Sequence, residues 1–252
     1  MDVLREQLLK ERQRFVYVLP NFQNPTGTSL SGSRRRRLVE LCAEFEVPIE
    51  EDDPCGELRF SGDPQPRLAS LAPDNVIYLS TFSKVLSPGI RLGWVAGPQK
   101  AMEKFNLAKQ AANLHTNSLS QRAVYAFCTG NSPDDHVRTL RAAYRERRDA
   151  MVQALGRHLP RGSSWTVPDG GLFLWVTLPG GLCAEAVLAR AVPRKVAFVP
   201  GSAFFTDGGG GDSFRMSFST CDPARIEEGV RRLGALLSEL PGSDGNEAVV
   251  GV

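Results

Sequence analysis

The chain has 252 residues, and its 30 Lys and Arg against 28 Asp and Glu leave a formal charge of +2. Hydrophobic residues make up 42% and charged residues 23%, which is typical of a globular protein and excludes a disordered or fibrous one. The near-neutral charge argues against a dedicated nucleic-acid binder, and no apolar run reaches the roughly 20 residues that a membrane-spanning helix needs.

The first half of the chain alternates predicted helices with short apolar strands. A helix is predicted over residues 2–13, and Ser31 or Ser33 can cap a second helix that runs through residues 34–47. Four strands are predicted around and after that helix, at residues 15–20, 47–53, 76–84 and 91–98. Strands rich in Val, Ile and Leu that alternate with helices indicate a parallel sheet covered on both faces, so we expect an α/β fold.

The second half begins with predicted helices over residues 99–112 and 117–129, followed by a long Arg-rich helix over residues 134–158. From Trp165 onward the pattern changes to short strands that interleave with two further helices, over residues 183–192 and 223–239. This pattern predicts a second unit of the α+β type. We expect the boundary in or beside the long helix, and a disordered tail over residues 241–252.

The spacing of the cysteines and histidines argues against a disulfide framework and against a metal site. The five cysteines form no CxxC pair and the three histidines share no metal-ligand spacing, so we predict free thiols and no metal. The charged N-terminus has no signal-peptide core, which together with free thiols favours a cytoplasmic protein. The run Arg34–Arg37 is interpreted as a solvated helix face, because nucleic-acid binding would need an overall basic excess.

Two polar motifs follow predicted strands. Asn24-Pro25-Thr26-Gly27 is by itself a good turn sequence. Glu50–Asp53 places four carboxylates at the end of a buried strand. Because ligands of an open α/β sheet bind beyond the carboxyl ends of its strands, these acids are candidates to meet a ligand cation, although a solvated loop would have the same composition.

Two further features carry cations. Ser80–Lys84 ends the third strand with hydroxyls and one lysine, and Arg91 follows; hydroxyls with a guanidinium suit a phosphate group. A partly desolvated lysine at that place could act as an amine nucleophile. Arg215 lies inside the apolar strand SFRMSFS, either on the surface of an edge strand or as a buried carboxylate binder.

Taken together, these motifs resemble the fold-type-I pyridoxal-phosphate enzymes, specifically the class I and II aminotransferases. The resemblance covers residues 14–239 and is carried by QNPTGTSLS, EDDPCGELRF, STFSKVLSPGIRLGW, NLHTNSLSQ, GGLFLW, and VAFVPGSAFF with FRMSFS. It is strongest to the branch that includes 2-aminoadipate aminotransferase and the aminotransferase-like domain of MocR-type regulators. It implies part of a large cofactor-binding domain with a mostly parallel sheet in residues 1–133, an interdomain helix over 134–158 and a small α+β domain over 159–240.

The resemblance also implies a role for each matching residue. Lys84 would hold pyridoxal 5′-phosphate as a Schiff base and shuttle the proton, while Asp52 would keep the pyridine nitrogen protonated. Asn24 would donate to the 3′-oxygen of the cofactor and contact the substrate, and Arg215 would clamp the substrate α-carboxylate. The cofactor phosphate would be held by three side chains, Thr81, Ser83 and Arg91.

Two departures from the family pattern stand out. Cys55 occupies the place of a tyrosine that helps to hold the 3′-oxygen, and a thiol is a shorter and weaker donor, so we expect weaker tuning of the cofactor. Asp52 is chosen over Asp53 because the family's acid lies three residues before that tyrosine. Only a helix precedes the NPTG strand, where the family has about a third of its chain, so we expect a fragment of a longer enzyme with an exposed sheet edge.

The family's members are homodimers with active sites at the subunit interface, so the resemblance implies a homodimer that takes an amino acid and a 2-oxo acid such as 2-oxoglutarate, and neither nucleic acid nor membrane. Three alternatives remain open from the sequence. They are the effector domain of a MocR-type transcription regulator, a pyridoxal-phosphate lyase or decarboxylase on the same scaffold, and a non-catalytic fragment.

Overall fold

The computed structural model describes residues 1–130 and 133–240. The predicted disordered tail over residues 241–252 lies outside this part of the chain. Within it, no helix combines the length and the apolar character that crossing a membrane would require.

The described chain divides into two compact units. The first comprises Met1–Asn21 and Ser29–Arg141, and the second comprises Phe22–Thr28 and the chain from Ala142 onward. The division falls inside the long helix that the sequence predicts. The seven residues Phe22–Thr28 group with the second unit, although they lie within the predicted first domain, residues 1–133.

The first unit alternates helices with the strands of one sheet. Its helices are α1 (Asp2–Lys10), α2 (Gly32–Glu44), α3 (Leu68–Leu71), α4 (Gln99–Asn113), α5 (Ser118–Gly130) and the first part of α6 (Pro133–His158). Its strands are β1 (Val16–Val18), β2 (Ile49–Asp52), β3 (Val76–Thr81) and β4 (Gly93–Ala96). Ser31 is the N-cap of α2, because its hydroxyl accepts a hydrogen bond from the Arg34 amide.

The sheet has the order β1-β2-β3-β4, with parallel pairing from β1 to β3. Alternate residues of these strands face the helices, where Ile49 and Val76 pack with Leu38 and Cys42 of α2 and with Leu68 of α3. The residues between them, including Glu50 and Asp52, point to the opposite face and are only half-buried. The two faces therefore differ sharply in burial.

Strand β4 departs from the predicted pattern. It pairs with β3 in the antiparallel direction, and all four of its residues are exposed. Helix α4 likewise buries none of its residues. The expectation of parallel strands covered on both faces is therefore wrong for β4, while the parallel pairing of β1, β2 and β3 is confirmed.

The second unit is an antiparallel sheet with helices. It contains the rest of α6, the helices α7 (Ala184–Ala191) and α8 (Pro223–Ser238), and the strands β5 (Ser164–Trp165), β6 (Phe173–Thr177), β7 (Val199–Pro200) and β8 (Ser213–Ser217). The strand order is β5-β6-β8-β7, so β8 is an inner strand. Phe214 of β8 stacks on Phe198 with ring centroids 4.2 Å apart. Helix α8 buries Ile226, Val230, Leu233 and Leu237, which share one helical face.

Candidate active site

Asp52 ends strand β2 on the half-buried face of the first sheet. Tyr17 of the neighbouring strand β1 lies on the same face, because the parallel register pairs it with Glu50. The Tyr17 hydroxyl donates a hydrogen bond to Asp52 Oδ2 at 2.6 Å. Burial and the Asp52 carboxylate raise the pKa of Tyr17, so the phenol keeps its proton and acts as the donor.

The carboxylates on either side of Asp52 point the other way, into the core. Asp53 accepts hydrogen bonds from Asn21 Nδ2 and from the Tyr78 hydroxyl, each at 3.0 Å. Glu51 accepts the amide hydrogens of Leu68 at 3.0 Å and Ala69 at 2.8 Å. Burial raises the pKa of both acids. Strand alternation thus leaves Asp52, and not Asp53, where a ligand can reach it.

Arg35 lies in this buried region, so the interpretation of Arg34–Arg37 as a solvated face is wrong at one position. Its guanidinium is fully buried and donates four hydrogen bonds. The acceptors are the carbonyl oxygens of Leu30, Pro66 and Pro20 and Oδ1 of Asn21, at 2.8, 3.0, 2.7 and 2.7 Å. Three of these hydrogen bonds tie the chain on both sides of the NPTG turn to α2, and the one to Pro66 ties the segment before α3 to it as well.

Cys55 lies just beyond Asp52 and is 7% exposed. Burial raises the pKa of its thiol to about 12; the Lys84 ammonium opposes this shift, and the carboxylates of Asp53 and Asp52 add to it. The thiol is therefore neutral at physiological pH. Asp52 ends β2 and Lys84 follows the end of β3, and because these neighbouring strands are parallel, the two predicted site residues lie at the same edge of the sheet.

The turn after β3 brings two of the predicted phosphate ligands together. Thr81 Oγ1 lies 2.9 Å from Ser83 Oγ, accepts from the Ser83 amide at 3.0 Å and donates to the Leu92 carbonyl at 3.0 Å. Lys84 follows with an exposed side chain. Arg91 has a left-handed backbone at φ 55°, and its guanidinium donates to the Pro88 carbonyl at 3.4 Å within its own loop. Among the described contacts, Arg91 is not joined to Thr81 or Ser83.

In the second unit, Arg215 contacts Asn24. Its Nη1 donates to Asn24 Oδ1 at 2.6 Å, and its guanidinium lies over the rings of Phe173 and Phe204, 4.1 and 5.1 Å from their centroids. Because β8 is an inner strand, the edge-strand alternative for Arg215 is wrong. The side chain is half-buried, and burial lowers its pKa. Two of the predicted ligands are therefore held together.

The turn that carries Asn24 is shaped by its neighbours. The Asn24–Pro25 peptide bond is cis, and Gly27 has φ of +72°. Gln23 Oε1 accepts from the Thr26 amide at 3.1 Å and from its hydroxyl at 2.6 Å. The Thr26 carbonyl in turn accepts from the Thr166 hydroxyl at 2.8 Å. These bonds fix the loop so that Asn24 Oδ1 meets Arg215.

The chain matches known proteins over most of its length. The family model "Aminotransferase class I and II" matches residues 1–233. The aromatic-amino-acid aminotransferase 1 of Thermococcus litoralis is 40% identical, over 95% of this chain and 59% of that protein. The 2-aminoadipate transaminase of Thermus thermophilus is 43% identical, over 95% of this chain and 61% of that protein.

A solved structure agrees with these matches. It is the α-aminoadipate aminotransferase of Thermus thermophilus in complex with N-(5′-phosphopyridoxyl)-L-leucine, which superposes with a TM-score of 0.90 at 43% identity, over 94% of this chain and 62% of that one. The chain thus spans about 60% of the length of these relatives. The agreement confirms the predicted fold class, a partial α/β transferase fold. The chain belongs to the family of class I and II aminotransferases.

Proposed function

We propose that this protein moves an amino group from an amino acid to a 2-oxo acid with pyridoxal 5′-phosphate as cofactor. The observation that supports the proposal most is the placement of Asp52 and Lys84 after the carboxyl ends of the neighbouring parallel strands β2 and β3, at one edge of the sheet. Family membership supports the same chemistry.

The side chains of this edge fit the cofactor. Asp52 has one oxygen bound to Tyr17, and its Oδ1 has no hydrogen-bond partner among the described residues. A carboxylate at that position can accept a proton-bearing ring nitrogen. The adjacent hydroxyls of Thr81 and Ser83 and the exposed guanidinium of Arg91 are donors of the kind that a phosphate needs. Lys84 provides the only amine in the segment 76–98.

We infer a separate chemical role for the cofactor and for each side chain at this edge of the sheet. Bound pyridoxal phosphate supplies the electron sink for the pair left when the substrate α-proton departs. Lys84 would hold the cofactor through Nζ, and the same amine would accept the substrate α-proton and hold it for return. Asp52 holds the proton of the pyridine nitrogen by its negative charge. Neutral Cys55 is available as a weak donor to the 3′-oxygen.

In the second unit, we propose that Arg215 binds the substrate α-carboxylate with its planar fork of donors. Asn24 Oδ1 is already used by Arg215, which leaves the Asn24 amide group to donate. We propose that it donates to the 3′-oxygen of the cofactor. By the same contact, Asn24 orients Arg215 and contributes to the substrate site.

The proposal also covers the oligomeric state, the cellular location and the donor substrate. We infer a homodimer, which the large exposed apolar side chains of β4, α4 and α5 support. We also infer a cytoplasmic location, which the five free thiols support. The donor amino acid is best sought among aromatic amino acids and 2-aminoadipate, the substrates in the names of the relatives.

The test is covalent trapping at Lys84. The chain is incubated with pyridoxal phosphate, reduced with borohydride and digested, and we expect the label on the Lys84 peptide. Lys84→Ala should lose the label and at least about a hundredfold in turnover, because general acid–base catalysis is worth that much. Lys10→Ala, a change at an exposed lysine of α1, is the matched control and should keep both.

Measuring the products of turnover distinguishes an aminotransferase from a lyase and from a regulatory effector domain. An aminotransferase forms glutamate from 2-oxoglutarate at the rate at which the donor is consumed. Labelled Lys84 with donor breakdown but no glutamate would favour a lyase. Cofactor binding without any turnover would favour a regulatory effector domain. A wild-type chain that shows no label on Lys84 would overturn the proposal.

A further inference from the structure

We propose that Tyr17 is a positioning residue for Asp52: its hydroxyl holds Oδ2 and leaves Oδ1 to bind the pyridine nitrogen of the cofactor. This inference rests on the proposed function, since it assigns Asp52 that partner. It adds a residue from a different strand, to which neither the sequence motifs nor the relatives' names assign a role.

The contact is built into the sheet. Strands β1 and β2 are parallel neighbours, and the register pairs Tyr17 with Glu50, two residues before Asp52. The phenol therefore reaches diagonally along the same face to the carboxylate, where the O–O distance is 2.6 Å. Because both strands are hydrogen-bonded into the sheet, the donor is carried on a rigid element and not on a loop.

The chemistry suits an orienting role. A carboxylate can rotate about its last bond, and one strong charge-assisted hydrogen bond removes that freedom. A phenol is neutral, so it fixes Asp52 without cancelling the negative charge that the pyridine nitrogen requires. A lysine or arginine in its place would compete with the cofactor for that charge. Burial and the nearby carboxylates of Asp52 and Glu50 keep the proton on the phenol.

Tyr17→Phe tests the inference, because it removes the hydroxyl and keeps the ring. Tyr144→Phe is the matched control: that hydroxyl has no carboxylate partner among the described residues, and its ring contact with Arg147 is retained. We expect Tyr17→Phe to raise the dissociation constant of pyridoxal phosphate about tenfold, the scale of one hydrogen bond to a charged group. Tyr144→Phe should change it less than about twofold.

A second readout reports on the pyridine nitrogen directly. With cofactor labelled by ¹⁵N in its ring, Tyr17→Phe should shift the nitrogen resonance, and Tyr144→Phe should not. In an Asp52→Asn background, the effect of Tyr17→Phe on the dissociation constant should fall below about twofold, since the two residues act through one contact. A merely structural role of Tyr17 would survive that change and leave the resonance in place.

A third measurement needs no cofactor. With ¹³C in the tyrosine rings, Asp52→Asn should lower the pKa of Tyr17, because it removes the adjacent charge and the hydrogen-bond acceptor of the phenol. An unchanged titration would overturn the inference even if Tyr17→Phe did not fold. If the wild type binds pyridoxal phosphate and Tyr17→Phe binds it equally well, the inference is overturned and the proposed function is not. If the wild type does not bind the cofactor, the proposed function is overturned, and the inference with it.

Discussion

Arg35 shows how one charged side chain can hold several loops. It is fully buried, yet each of its three nitrogens donates a hydrogen bond, and three of the four acceptors are carbonyl oxygens of the chain before β2 and after it. Its fourth acceptor, Asn21, in turn donates to Asp53. A buried cation is tolerable only when such partners replace water. Burial lowers the pKa of Arg35, and the neighbouring carboxylates of Glu51 and Asp53 oppose this shift by favouring the charged form.

Replacing Arg35 should therefore cost much more than replacing its neighbour. We expect Arg35→Met to lower the free energy of unfolding by about 3–5 kcal/mol, because it orphans buried acceptors and leaves Asp53 with less compensation. Arg36→Met, at an exposed position on the same helix, should change it by less than about 0.5 kcal/mol. Urea unfolding of the two variants measures both, and equal losses would refute the role assigned to Arg35.

The sequence contained the signal for Arg35 but not for Tyr17. The buried residues of α2 are Arg35, Leu38, Leu41 and Cys42, whose spacing of three and four residues places the arginine on the apolar face. That spacing could have separated Arg35 from the exposed arginines beside it. The contact of Tyr17 with Asp52 depends on the register of two strands, which no local pattern fixes.

At the scale of the element, the NPTG turn depends on a glycine. Gly27 has φ of +72°, and a Cβ there would lie 2.6 Å from the Phe173 carbonyl oxygen. We expect Gly27→Ala to lower the free energy of unfolding by at least about 1–2 kcal/mol, the cost of left-handed backbone for alanine.

Gly229→Ala in α8 provides the opposite control. A Cβ at Gly229 meets nothing within 4 Å, so helix propensity should raise the free energy of unfolding by up to about 1 kcal/mol. Thermal or urea unfolding of both variants gives the sign of each change in the free energy of unfolding. Equal changes in Gly27→Ala and Gly229→Ala would contradict the close approach of the turn to β6.

Elements with a strong local pattern could be predicted well. Helix α8 was expected over residues 223–239 and spans Pro223–Ser238, because its apolar residues recur on one face and Asp222 caps it. The short helix α3 was missed, since four residues carry no period. The antiparallel direction of β4 could not be predicted from the sequence either, because it depends on how the chain turns between residues 82 and 92.

At the scale of the whole molecule, long-range contacts decide the grouping of residues. The segment Phe22–Thr28 joins the second unit through contacts such as the Thr166 hydroxyl with the Thr26 carbonyl, 140 positions apart. Phe22 also lies against Gly171, because a Cβ added at Gly171 would come within 2.6 Å of the Phe22 Cβ. Local sequence patterns carry no information on such partners, so they group this segment with its neighbours along the chain.

The first unit leaves large apolar side chains exposed between residues 94 and 125, and these predict self-association. Leu107, Leu114, Leu119 and Tyr125 are 61, 73, 78 and 71% exposed. Side chains of this kind are costly in water and mark contact surfaces when they cluster. We expect sedimentation velocity to show dimers whose dissociation constant rises about tenfold in Leu119→Lys, since burying one leucine is worth that much. Val167→Lys, at a 58% exposed valine of the second unit, is the control. Dimers equally stable in both variants would place the contact surface elsewhere. No dimers at any concentration would contradict self-association of this chain, and either result would remove this support for the homodimer.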